Sequence, residues 1–321
     1  MLHCNIRLQR LVGGIAAALV LIAGHARAEL LAVTEIAPGV FVHAGPHEDL
    51  LHPNPGDIAN IGFVIGDSAV AVIDTGGSRQ VGEALFKAVR ARTPLPIRYV
   101  ILTHVHPDHI FGAAAFAAEK PPTASMAEKP QVIGHARLPA ALAARGGHYR
   151  RNMERDLGLN AADLTVVAPD RTVTATTEID LGGRRLVLRA HATAHTDSDL
   201  RVFDTATATL WTGDLLFRER VPVIDGSVKG WLKVMDELAA IKAARAVPGH
   251  GPVATDWPAA LAPQRRYLTL VHDGVRAHIR ARKNLDQAVK SVAWEEAGSW
   301  LLFDRYHARN VTAAFVEAEW D

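Results

Sequence analysis

The chain has 321 residues, 49% hydrophobic and 21% charged, with a formal net charge of +1. That is enough chain to bury a large core in one large or two ordinary domains. The near-balance of charge argues against nucleic acid or an anionic surface as the partner.

The first 28 residues read as an export signal. Arg7 and Arg10 precede the apolar stretch 11–24, and Ala26-Arg27-Ala28 supplies a small-x-small cleavage site. The stretch is shorter than the ~20 residues of a membrane span, and nothing later is long and apolar enough, so no membrane contact is expected after cleavage. Removing the leader leaves 32 basic against 34 acidic residues and takes away Cys4, the only cysteine. A metal site in the remainder would have to be built from histidine and carboxylate.

In chain order, 37–45 predicts a strand entered through a Pro-Gly turn. Residues 58–77 predict two strands joined at Gly66-Asp67. Val81, Leu85 and Val89 give 79–92 an amphipathic helix, and 97–103 is nearly all apolar, as a buried strand should be. An Ala-rich helical stretch (111–119) and a strand (131–135) follow. Residues 138–158 start helical and turn polar and irregular. Strands are then predicted at 171–176, 184–193, 200–204 and 208–214. A helix at 231–244 carries Leu232, Met235, Leu238 and Ile241 as its apolar stripe, and Ala246–Gly251 closes the unit. Two successive sets of strands, each followed by helices, predict two sheets packed face to face with helices outside. The remainder, 258–321, reads as a helical extension: a long helix marked by Leu268, Val271, Val275 and Ile279, an Asn284/Gln287 capping pair, and a last helix over 305–319.

One segment carries chemistry. After the strand at 97–103 come His104, His106, Asp108 and His109, crowded into six positions. Without a cation these groups would repel or compete for protons; with one they become donors. Four residues of one loop cannot all reach one tetrahedral ion, so two ions and further ligands are expected. His195, Asp214 and His250 each sit at a strand end or beside a glycine turn. Asp197 and Asp199 read as turn residues.

Taken together, THVHPDH, AHTDSD, TGDLLF and PGHG, with VIDTGG upstream, resemble the metallo-β-lactamase superfamily of metallohydrolases over residues 31–255. The resemblance implies an α/β fold, a four-layer αβ/βα sandwich with a C-terminal helical extension: leader 1–28, domain 29–257, extension 258–321. It implies that His104, His106 and His195 hold one zinc, that Asp108, His109 and His250 hold the other, and that Asp214 bridges them. Asp74 would orient these ligands from behind. Iron and manganese suit the same donors. A hydroxide between the metals, oriented by Asp108, would attack an ester, thioester or amide carbonyl of a small-molecule substrate.

More narrowly, 212–232 and the long tail resemble the quinoprotein relay system zinc metallohydrolases. That implies a periplasmic protein with a quinoprotein dehydrogenase as a possible partner. Three other functions fit the same residues: a β-lactamase, testable with nitrocefin; an iron-dependent persulfide dioxygenase; and a non-catalytic periplasmic accessory protein. His43, His47 and His52 are expected on an exposed loop near the metals. Phe217, Val221, Pro222 and Trp231 are candidates for the pocket mouth, with ordinary packing an equal expectation. Tyr306, His307 and Asn310 lie on the last helix, within possible reach of the site.

Overall fold

The computed structural model describes residues 31–51, 54–117 and 129–320. The leader, His52 and the last two residues of the helical stretch predicted at 111–119 lie outside the described residues.

The first half of the chain builds a seven-stranded sheet in sequential order: β1 (Thr34–Ala37), β2 (Val40–His43), β3 (Ile61–Ile65), β4 (Val70–Ile73), β5 (Ile97–Ile101), β6 (Gln131–His135) and β7 (Arg171–Val173). Pairing is antiparallel from β1 to β4 and parallel from β4 to β7. Pro38-Gly39 does make the predicted turn, with Gly39 at φ +70, a conformation that suits glycine. The second half builds a five-stranded sheet in the order β12-β11-β10-β9-β8: β8 (Thr176–Asp180), β9 (Arg185–Ala190), β10 (Leu200–Asp204), β11 (Thr209–Phe217) and β12 (Arg245–His250). It is antiparallel except for the β11–β12 pair.

Alternation along the strands sorts side chains into two apolar layers. Val40, Val42, Val64, Ile73 and Ile101 face Leu186, Leu188, Val202, Trp211 and Val247 between the sheets. Phe41, Phe63, Val72 and Val100 point the other way, against Val81, Leu85 and Val89 of helix α1 (Arg79–Arg90). Outside the second sheet lies a continuous apolar cluster. It joins Leu210 and Ala246 to α5 (Val228–Ala239) and to Leu268, Val271 and Val275 of α6 (Ala262–Arg280). The architecture is therefore helix, sheet, sheet, helix, as expected. Short helix α7 (Leu285–Val289) opens on the predicted Asn284/Gln287 capping box, and α8 (Phe303–Glu319) packs on α6 and α7.

Four boundaries differ from expectation. Residues 138–158 do not become irregular: α4 runs from Leu138 to Leu157. Met153 and Leu157 stay buried four residues apart, Arg150 pairs with Glu154, and the helix stops only at Gly158 in the left-handed conformation. The strand expected at 171–176 is broken by a bend at 174–175, so that β7 ends one sheet and β8 begins the other. Polar β8, in which only Ile179 is buried, gives little signal as an edge strand. Helix α5 starts earlier, capped by Ser227, and buries Val228, Trp231, Val234, Met235 and Leu238, leaving Leu232 and Ile241 half-buried. Strand β11 does not stop at Asp214 but continues, fully buried, to Phe217.

The site is positioned by the ends of strands. The loops after β4 and β5, the β9–β10 loop and the end of β12 all open on the same rim. Main-chain bonds cross between the sheets there, from Leu200 N to Thr103 O (2.7 Å) and from Asn60 N to Gly249 O (2.7 Å). Asn60 also donates its side-chain amide to the carbonyls of Pro248 and Gly251, stitching the two rims together.

Candidate metal centre

Two groups of side chains converge at that rim. His104, His106, His195 and Asp214 place one donor atom each within 4.8 Å of one another, and so do Asp108, His109 and His250; all are buried except His106, whose side chain is 12% exposed. The cluster from the β5 loop is thus split between two sites, as its crowding required: the chain turns through α2 (Pro107–Ile110), and His109 joins the second group while its ring stays 4.3 Å from that of His104.

Asp214 lies between the groups. Its Oδ2 is 3.2 Å from His195 Nε2 and 3.6 Å from His104 Nε2, while its Oδ1 is 3.1 Å from His109 Nε2 and 3.5 Å from His250 Nε2. Asp108 Oδ2 is 3.3 Å from His250 Nε2 and 3.6 Å from His109 Nε2. Gly249 makes room for this carboxylate, since a Cβ there would fall 1.8 Å from Asp214 Oδ1, and Gly213, at φ +51, makes room for Thr103, whose Oγ1 would lie 2.7 Å from a Cβ. Asp214 therefore enters the site from within a strand, at a register irregularity around Gly213.

Each imidazole is oriented by an oxygen on its far side. His109 Nδ1 donates to Asp74 Oδ2 (2.8 Å), His104 Nδ1 to Thr103 Oγ1 (2.9 Å) and His195 Nδ1 to Val223 O (2.7 Å). His250 Nδ1 donates to Ile58 O (2.8 Å) and His106 Nε2 to Asp225 Oδ2 (3.0 Å). With five outer nitrogens protonated in this way, five inner nitrogens carry lone pairs turned inward. His104 Nε2, His109 Nε2 and Asp214 Oδ1 are buried with no hydrogen-bond partner, and His195 Nε2 faces His106 Nδ1 at 2.9 Å. Lone pairs converging in a buried space, with their tautomers set from behind, fit divalent cations, one per group.

Without metals the carboxylates draw protons into the same space: burial lowers His109 and His195, but Asp214, Asp108 and Asp74 raise His109 well above the ordinary histidine value and Asp214 raises His195, so a cation binding here would displace protons. Burial favours protonation of Asp214, but the imidazoles of His250, His109, His104 and His195 outweigh it and hold the carboxyl well below the usual carboxylate range. Asp108 is likewise depressed against its own burial, by His109 and His250. Burial lowers His104 well below the ordinary histidine value and keeps it a neutral donor.

Asp74 occupies a left-handed position (φ +53) after β4, and its carboxylate also accepts from Thr103 N and Oγ1 at 2.8 and 2.7 Å. It stands directly behind His109. Asp197 and Asp199 stay out of both groups. Asp197 pairs with Arg145, and Asp199 accepts three bonds from Thr196 within its own turn.

The remaining named residues divide between correction and expectation. His43 is buried, not exposed, and bonds Asp57 at 2.7 Å; His47 pairs with Glu219. Trp231, Val221 and Pro222 are buried packing, with Trp231 set edge-on to His195. Phe217 does line the cavity and stacks on His250, with ring centroids 5.1 Å apart. Of the last helix, only Tyr306 reaches the cavity among the three residues named; His307 bonds Tyr267 and Asn310 bonds the main chain of Pro222 and Ile224.

A cavity of about 230 Å³ opens over both groups, walled by Tyr149, Asn152 and Met153 of α4, Phe217 and Arg220 after Asp214, and Tyr306 of α8. Sequence reasoning missed Asp225, Arg220, Thr103 and Asn60. Arg220 and Asp225 fall within 212–232, where a lone arginine and a lone aspartate carry no spacing signal that sets them apart from surface charges.

A family model described as the metallo-beta-lactamase superfamily matches residues 54–250. No curated protein matches. Among solved structures, a stereoselective inverting sec-alkylsulfatase from Pseudomonas sp. is similar at 18% identity over 89% of this chain, with a TM-score of 0.67. This chain spans 50% of that protein. A metallo-beta-lactamase from Pontibacter korlensis is similar at 20% identity over 74% of this chain and 99% of its own, with a TM-score of 0.58. One from Hirschia baltica is similar at 17% identity over 75% of this chain and 98% of its own, with a TM-score of 0.56. At such identities the likeness speaks to the fold alone.

Proposed function

The chain belongs to the metallo-beta-lactamase superfamily, and from that premise we propose that it is a dinuclear zinc hydrolase acting on an ester, thioester or amide carbonyl. The observation that carries the reading is Asp214, whose two oxygens face two separate groups of inward-turned donors. When bound, a pair of divalent cations there would bring the pKa of a water between them towards neutrality and polarise the carbonyl under attack.

The chain's own residues supply the rest. His104, His106 and His195 would hold one ion, Asp108, His109 and His250 the other, and Asp214 both. Asp108 lines the cavity as well as its group, so its carboxylate is placed to orient the attacking water. Ile58, Phe217 and Val223 give the cavity apolar walls that lower the local dielectric. No serine or cysteine nucleophile is required.

The leader at 1–28 supports export to the periplasm. The likeness of 212–232 to quinoprotein relay metallohydrolases supports a role beside a periplasmic quinoprotein dehydrogenase. The deciding experiment is elemental analysis of the purified chain, paired with a screen of esters, thioesters, lactams and a secondary alkyl sulfate. Two zinc ions per chain and turnover of a carbonyl substrate, lost in His106→Ala, are expected. A chain that takes up no divalent metal overturns the reading. Turnover of the sulfate alone moves it from carbonyl to sulfate esters.

A further inference from the structure

A cluster of basic side chains lies away from the metal groups, on the outer face of the second sheet. Leu188, Ala190, Leu200 and Val202 point between the sheets. Alternation therefore turns Arg189 of β9 and Arg201 of β10 to the opposite face, beside α5. The two arginines stand directly opposite each other in the antiparallel register, where like charges oppose folding. Little compensates them. Arg201 makes no hydrogen bond or ion pair among the described residues, and its Nε is buried without an acceptor. Arg189 Nη1 donates to Thr176 Oγ1 at 3.3 Å, and its Nη2 lies 3.7 Å from Glu237 Oε2 of α5, both long contacts.

His191 closes the cluster at the end of β9. Its side chain is 1% exposed, and neither ring nitrogen has a hydrogen-bond partner. Nδ1 stands 3.4 Å from Glu237 Oε2 without bonding it. Burial, Arg201 and Arg189 push this imidazole down to about 3, so the ring is neutral and its one N–H has no acceptor. Glu237 fills this place poorly. Its side chain is half exposed, and its one carboxylate faces two guanidinium groups and an unbonded imidazole. Lys233, one turn earlier on α5, makes no ion pair among the described residues and adds to the positive side.

We propose that Arg189, Arg201 and His191 form an oxyanion site, separate from the metal centre, that takes a sulfate or phosphate ion, with Glu237 as an internal carboxylate that the ion displaces. A buried polar group without a partner is costly. A bound dianion would supply the missing countercharge, an acceptor for Arg201 Nε and one for the His191 N–H. Donors on three side chains suit an anion with oxygens on several sides, whereas a planar carboxylate matches a single fork. The site lies at the foot of the loop that carries His195, where His191 N donates to Asp199 O at 2.9 Å.

The test is calorimetric titration of the zinc-loaded full chain with sodium sulfate and, separately, with sodium phosphate, ionic strength being held constant with chloride. One ion per chain is expected, and the salt that binds more tightly names the occupant. Arg201→Met and Arg189→Met should each weaken binding by about tenfold or more, the range of one charge-assisted hydrogen bond. Glu237→Gln, which removes the internal competitor, should tighten it. His106→Ala, which disturbs a metal group, should leave it unchanged. In chloride alone Arg201→Met should melt on the order of 1 °C higher, because it relieves the cross-strand repulsion. Should that variant fail to fold, Arg189→Met and Glu237→Gln still decide. Absence of saturable binding, binding undiminished in the arginine variants, or binding weakened by Glu237→Gln overturns the site. So does binding lost in His106→Ala and kept in the arginine variants, which would put the anion at the metals.

Discussion

The two metal groups are fastened from behind by different parts of the molecule. In the group of Asp108, His109 and His250, the backing is sheet edge: Asp74, pinned by Thr103 and 2% exposed, stands behind His109, and the main-chain carbonyl of Ile58 stands behind His250. In the group of His104, His106 and His195, His106 leans on Asp225, whose side chain is a quarter exposed. Asp225 is itself held by Arg309 of α8 and lies 3.7 Å from Arg145 of α4. Both groups share the first sheet's rim, since His104 also rests on Thr103 and through it on Asp74, but only the His106 group leans in addition on a carboxylate held by outer helices. Loss of the Arg309 contact should therefore reach the His106 group and spare the other, which α8 touches separately through Tyr306 and Arg220 beside His250.

The harshest test of this contrast removes what the sites share. Asp214→Ala should lower metal content from two per chain and cut hydrolysis by more than about a hundredfold, beyond the 10–100-fold typical of outer partners. Full activity with two bound metals would break the picture of a shared carboxylate.

Next is Asp74→Asn, which tolerates the left-handed backbone but cannot accept from Thr103 N, Thr103 Oγ1 and His109 Nδ1 together. Leaving a buried donor unmet should cost about 1–3 kcal/mol in denaturant unfolding and weaken the Asp108 group about tenfold or more. Asp225→Asn should weaken metal binding at the His106 group by about tenfold and leave the other group unchanged. Arg309→Ala should do the same more weakly, because its side chain is more than half exposed. Chelator competition resolving two affinities measures both, and equal losses at the two sites would refute the asymmetry.

The smallest effect concerns the loop that carries Ile58. Burial disfavours the charged form of His43, but its bonds to Asp57 and Ala32 prevail and raise its pKa above 6.5. A raised histidine pKa adds stability that is fully present below the unfolded value and is lost as pH rises through the folded value. Asp57→Asn should therefore lower the melting temperature more at pH 5.5 than at pH 9. The difference should stay below about 1 kcal/mol, since Asp57 is partly exposed. A gap that widens with pH would exclude the pair.

Strands and helices with strong periodicity were legible in the sequence. The buried runs of β3, β4 and β5 and the stripe of α1 stand where apolar spacing places them. The polar half of α4 was not, because Gly146-Gly147 interrupt the helical pattern and the helicity beyond them comes from packing Met153 and Leu157, with no further breaker before Gly158. Nor was β8, whose pattern at a sheet edge looks like a loop. The four ligand candidates after β5 were legible because histidine and aspartate at this density have few other uses, and His195, Asp214 and His250 only through their order relative to that cluster. Their supporting shell was not, because Asp225 and Arg220 look like ordinary surface charges until the fold buries them against His106 and His250.

Local chemistry in the chain thus determined which side chains bring lone pairs, and its periodicities determined two sheets with helices outside. Only the tertiary structure decided how those lone pairs are shared. The turn after β5 divides His104 and His106 from Asp108 and His109 between the two groups, and the glycine at 249 lets Asp214 stand between them. Such partition depends on distances of a few ångströms across segments more than a hundred residues apart, and no linear spacing encodes them.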